Sequence, residues 1–119
     1  MSLRDITVLA RSATVTGLQP DGPVARPLSQ PASQTWSLDV NLEGSGTNLT
    51  GIWECEPGSF ERHLKAAEVM HILCGRGSFT PTGGQARAFA AGDTLFFPSN
   101  TIGVWDIEET VRKVYVVMA

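Results

Sequence analysis

Long apolar runs are missing from these 119 residues, as are runs of like charge, segments rich in Ala, Leu and Glu, and all but two cysteines. Each absence excludes something. No stretch approaches the about eighteen consecutive apolar residues of a membrane-spanning helix. Arg4, Asp5 and Arg11 interrupt the N-terminus where a signal peptide needs an unbroken apolar core. A cytoplasmic location with no membrane partner is the expectation. The net charge is −3 and the charges are dispersed, so the basic footprint that a nucleic-acid partner requires is absent and none is expected. Cys55 and Cys74 both stand beside apolar neighbours in strand-like segments, where a free thiol serves as a small hydrophobe. Neither a structural disulfide nor a catalytic thiol is expected of them.

What fills the chain instead is turn chemistry between short alternating segments. Pro20, Pro23, Pro27 and Pro31 punctuate the N-terminal third. Proline lacks the amide a central strand must donate, so this passage should wrap over the surface. Residues 7–16 could form a strand or an arm. Residues 37–42 alternate Leu38, Val40 and Leu42 with polar residues, and Gly44-Ser45-Gly46 turns the chain into a strand at 49–56. Further strands are expected at 59–63, 69–74, 78–80, 87–89, 94–97, 103–107 and 111–118, with Gly, Pro and Asp at the turns between them. This spacing predicts an all-β sandwich or barrel over 37–119, preceded by a partly irregular arm over 1–36.

The chemistry has few hosts. Glu61 and His63 are two apart on an expected strand, so their side chains share a face, and Glu68 is placed to return beside them after a turn. Two carboxylates and an imidazole form a metal-type cluster. His63 could equally be a hydrogen-bonded residue without a ligand role, and Glu68 a rim residue capped by Lys65. His71, three residues beyond Glu68, falls on the opposite face and is expected at a surface or interface. Trp53 and Trp105 are either core or the flat walls of a ligand pocket. Arg112 and Lys113 are adjacent and point to opposite faces, one of them pairing with Glu108 or Glu109.

Several motifs together resemble a known family: Gly51-Ile52-Trp53-Glu54-Cys55-Glu56-Pro57-Gly58, then 68–75, then Gly92-Asp93-Thr94-Leu95-Phe96-Phe97-Pro98, then Gly103-Val104-Trp105 and Val111-Arg112-Lys113-Val114-Tyr115. From Gly51 to the C-terminus the chain is similar to the small single-domain cupins related to ureidoglycine aminohydrolase. The resemblance implies a double-stranded β-helix, or jelly roll, a homodimer, and a site inside the barrel mouth. It also implies a metal position for which Glu61, His63 and Glu68 stand at three of four cupin ligand places, with Gly103 at the fourth. Manganese is the ion of ureidoglycine aminohydrolase; nickel and zinc also suit a site of this kind. Gly103 offers no side chain, which leaves three protein ligands and a weakened site.

Two function classes follow. One is an enzyme acting on a small polar metabolite, of ureido, amine or sugar type, with a divalent ion polarising the substrate. The other is a non-catalytic cupin that binds or senses a small molecule through the same pocket residues, Glu61, His63, Glu68, Trp53 and Trp105. The fold by itself chooses neither.

Overall fold

The computed structural model describes residues 5–119. Its described residues form eight strands: β1 (Gln19–Pro23), β2 (Gln34–Asp39), β3 (Leu49–Cys55), β4 (Gly58–Leu64), β5 (Ala67–Pro81), β6 (Arg87–Ala90), β7 (Thr94–Phe97) and β8 (Thr101–Met118). Every pairing between them is antiparallel. No helix among the described residues is long and apolar enough to cross a membrane.

Two strands organise the barrel. The segments 69–74 and 78–80 are not separate strands, as alternation alone suggests, but one strand of 15 residues; likewise 103–107 and 111–118 join in a strand of 18. Both bend where their shared ladder slips register, between Ile72 and Gly77 on β5. Gly75 permits the bend. Its φ is 86°, and a Cβ there would collide with the Thr110 carbonyl. Beyond the bulge the strands change company. The C-terminal half of β8 lies between β3 and the first half of β5, while its N-terminal half lies between β4 and the second half of β5. One continuous array is thereby folded into two facing layers, the jelly roll that the family resemblance implies.

The N-terminal passage departs from expectation. Residues 5–18 form no strand, but Gln19–Pro23 adds an edge strand to β2 despite Pro20 and Pro23, and β2 begins at Gln34. An edge strand tolerates proline because one side of its backbone needs no partner. The sheet thus begins well before residue 37. Arg112 fastens the preceding segment: its Nη1 donates to the Ser12 and Val15 carbonyls at 3.1 and 2.8 Å, while Nε and Nη2 both lie 3.0 Å from Glu54 Oε1. The expected partners of the 112–113 pair, Glu108 and Glu109, are taken by Arg76 instead, at 3.2 and 3.5 Å.

The core lies between the layers. Phe79, Phe89, Phe97 and Trp105 interlock edge to face or tilted, with centroids 4.9 to 5.6 Å apart. Met70, Ile72, Ile107 and Val111 close the cluster around them. Cys55 is fully buried and Cys74 half-buried, and both thiols are free.

Candidate functional site: a buried lysine in the barrel cavity

Alternation on the second half of β8 sends Val111, Lys113 and Tyr115 to the interior and Arg112 to the outside. Lys113 sits opposite Trp53 of β3 on one flank and Ile72 of β5 on the other. Its side chain runs along the inner surface to Glu68, at the start of β5, where Nζ donates to Oε2 at 3.2 Å. Nζ also contacts Met70 Sδ at 3.4 Å and stands 4.6, 5.5 and 6.0 Å from the ring centres of Trp53, Trp105 and Tyr115. Both side chains are only 10% exposed.

A cation so placed is costly, and its surroundings divide on it. Burial pushes the Lys113 amine below the usual lysine value. Glu68 opposes this through its charge and its hydrogen bond, whereas the nearby Arg62 guanidinium adds to it. Desolvation dominates. The aromatic faces compensate in part, since each ring offers its negative quadrupole to the ammonium. Tyr115 is held above its usual value, first by burial and then by Asp39, whose Oδ1 accepts from the phenol at 3.5 Å.

This pair lies in a cavity of about 430 Å³, bordered by Trp53, Phe60, Trp105 and Tyr115 on its apolar walls and by Arg62, Glu68 and Lys113 among its polar groups. The volume falls within the range of small-molecule sites, about 300–1,000 Å³. Arg62 stands on β4 between the buried Phe60 and Leu64 and directly opposite Gly103, and its exposed side chain lines the cavity from the solvent side.

The candidate residues are brought together only in part. Glu68, Trp53 and Trp105 meet at the cavity, and Trp105 is core and wall at once. Glu61 touches the rim, but its carboxylate is half exposed and leans toward Arg26, 4.0 Å away. His63 is exposed on the outward side of β4, paired with the equally exposed Ile102. Glu61 and His63 do share a face, but it is the outer one, because the buried Phe60 and Leu64 hold the inward positions, with Arg62 in phase with them yet exposed. His71 also faces out, sharing a 2.7 Å hydrogen bond between its Nδ1 and Thr94 Oγ1.

These placements do not fit a cupin metal. Among the described residues no three His, Cys, Asp or Glu side chains converge to hold an ion. Glu68, the buried carboxylate among the described residues, already faces an ammonium. The fourth ligand place is closed as well: a Cβ on Gly103 would collide with the Thr80 carbonyl and stand 2.7 Å from Phe79 Cζ. Lys113 and Arg62 are the functional candidates that the sequence reading passed over. The signal for Lys113 was present in the alternation of Val111, Lys113 and Tyr115, which carries a lysine at an inward position in phase with two apolar residues.

A jelly roll with a mixed aromatic and polar cavity is the architecture of the cupins, among other classes. The family model of the EutQ-like cupin domain matches residues 42–115, more than half of the chain, and the protein belongs to that family. A DUF861-family protein of unknown function from Pseudomonas syringae pv. tomato is similar at a TM-score of 0.79 and 26% identity, over 92% of this chain and 46% of that one. The chain thus spans about half the length of that relative. The EutQ protein of Clostridium difficile aligns at 0.64 with 20% identity, over 77% of this chain and 75% of that one. The polyketide cyclase RemF of Streptomyces resistomycificus aligns at 0.65 with 15% identity, over 95% and 79%. The last two likenesses concern the fold. No curated protein matches.

Proposed function

We propose that the barrel cavity is the functional site, that it takes a small polar metabolite bearing a carbonyl or carboxylate oxygen, and that Lys113 and Glu68 act on it as an acid–base pair. The observation that carries this reading is the buried 3.2 Å contact between Lys113 and Glu68 at the wall of an aromatic cavity. Burying two opposite charges stabilises a fold little compared with apolar residues of the same volume, so a retained pair that borders a cavity is better accounted for by work on a ligand. The resemblance to ureidoglycine aminohydrolase-like cupins supports ureido and amine compounds within this class, and sugar derivatives fit the same hydrogen-bonding groups. Non-catalytic binding is the second reading, favoured by the outward turn of Glu61 and His63, which leaves Glu68 in the pocket without the other metal ligands that the resemblance implies.

Thermal unfolding against a panel of ureido, amine, sugar and oxo-acid metabolites tests the proposal. A true ligand at a hundred times its Kd adds about 2.7 kcal/mol of stability. Trp53→Ala should remove that gain. A panel without a hit, or a hit indifferent to Trp53 and Lys113, overturns the proposal. NMR of the bound metabolite over time separates turnover from binding.

A further inference from the structure

The sequence contains two lysines, and their settings are opposite: Lys65 is exposed and Lys113 is enclosed by rings in the cavity. Lysine is an exposed cation by habit, and a buried one is the usual form of an amine nucleophile. Lys113 has the three things such an amine needs. It has a cavity on which to meet a substrate, a carboxylate in hydrogen-bond contact to take its proton, and a second cation, Arg62, whose exposed side chain lines the same space.

We infer that Lys113 is an imine-forming amine, and that the cavity receives a small 2-oxo acid whose carbonyl carbon meets Nζ and whose carboxylate is held by Arg62. The inference rests on the proposed function of the cavity and specifies its substrate class. Arg62 is suited to the carboxylate because a guanidinium matches it with two parallel donors.

The step balances within the site. Glu68 takes a proton from the ammonium, leaving the free amine and a carboxylic acid. The nitrogen lone pair forms the C–N bond while the carbonyl π pair moves to oxygen, and one proton passes from nitrogen to that oxygen to give the carbinolamine. Glu68 then returns its proton to the hydroxyl, the C–O bond breaks, water leaves, and the nitrogen lone pair closes the iminium. One positive charge enters and one remains, with Glu68 again ionised beside it. Burial supports the first transfer by weakening the hold of Lys113 on its proton.

The full chain is treated with pyruvate and cyanoborohydride, and the modified amines are located by intact mass and peptide mapping. In wild type, reduction should place one N-carboxyethyl group on Lys113 at least about tenfold faster than on Lys65, which serves as the internal control in the same molecule. Lys65→Arg should leave this labelling intact. Lys113→Arg should abolish it, Glu68→Gln should slow it about a hundredfold, and Arg62→Gln should raise the pyruvate concentration needed. Labelling confined to Lys65 and the α-amino group overturns the inference, and since that result comes from wild type it does not depend on how the variants fold. If metabolites of the panel still bind in a manner dependent on Trp53 and Lys113, the imine fails while the cavity reading stands. If nothing binds and Lys113 is never labelled, both fall.

Discussion

Lys113 Nζ and Glu68 Oε2 lie 3.2 Å apart inside a barrel, joined across 45 residues of sequence and only 10% exposed at either side chain. Each charge answers the other, and the strands on which they stand, β8 and β5, are the two that span both layers. The pair therefore couples the site to the frame of the fold.

That coupling is measurable. Removing one partner leaves a charge enclosed among rings without its counter-ion, whereas removing both leaves an apolar interior. Lys113→Met and Glu68→Leu should each destabilise the protein by about 3 kcal/mol, the low end for a broken buried pair because the cavity admits water. The double variant should recover much of this loss. A urea-denaturation double-mutant cycle giving a coupling below about 0.5 kcal/mol would show that the two groups are independent.

Cys55 predicts a loss of stability in alkali. Burial, the largest influence, pushes its thiol from 9.0 to about 12, outweighing the opposing effect of Lys113. Between those values the folded thiol keeps a proton that the unfolded thiol gives up, so rising pH favours unfolding by up to about 1.4 kcal/mol per pH unit. Lys113 acts in the opposite sense, holding its proton less firmly when folded, and Tyr115 in the same sense as Cys55. Comparison with Cys55→Ala reports the thiol together with its coupling to Lys113, because the variant retains both other groups. At neutral pH the variant should be less stable by about 1 kcal/mol, for the small cavity it leaves. Between pH 9 and 10.5 the wild type should lose about 1.5 kcal/mol more than the variant, and equal losses in urea denaturation would contradict the burial of the thiol.

Gly103 is fixed by contact. A side chain there would meet the Thr80 carbonyl and the Phe79 ring, 2.7 Å from Cζ, in the aromatic cluster that includes Trp105. Gly103→Ala should cost about 1–3 kcal/mol through forced repacking. Gly103→His should cost more and, with Glu61 and His63 turned outward, bring no gain in Mn²⁺ or Zn²⁺ affinity by calorimetry. A stable Gly103→His protein with raised metal affinity would show that β4 can present its outer residues to the barrel.

Much of the fold was legible because a strand's period of two and its Gly and Pro turns are local properties. Residues 94–97 and the span from Leu49 to Cys55 follow directly from alternation and flanking turns. The long strands were not, since the bulge at Gly75 interrupts the alternation and reads locally as a strand end. Of the residues read from the sequence as pocket candidates, those that line the cavity wall, Trp53, Glu68 and Trp105, stand on β3, β5 and β8. Glu61 and His63 were rightly placed on one face, but which face is inward depends on the flanking Phe60 and Leu64 and on pairing with β8, which spacing within β4 does not reveal. Lys113 was hidden by its own chemistry: a lysine beside an arginine reads as surface until its partner, Glu68, is known to lie within reach.

The outer face predicts a second copy of the chain. Val69 of β5 is paired on one side with Phe96 and on the other with Val116, forming an apolar row in which Phe96 is 74% and Val116 40% exposed. Among the described residues β7 pairs only with β5, which leaves its other edge open to a further strand. Ile6 and Val8 are 81% and 70% exposed in a segment that forms no strand with its own barrel. Exposed apolar groups on an arm and an apolar face beside an open edge complement each other, and a symmetric dimer lets each copy supply both. Light scattering at micromolar concentration should give twice the 12.8 kDa chain mass. Phe96→Glu with Val116→Glu should give a folded monomer, and Ile6→Asp with Val8→Asp should weaken association by about a hundredfold, as expected for the loss of two anchoring side chains. A wild-type monomer throughout that range would leave the row as an exposed patch and remove the dimer from the account.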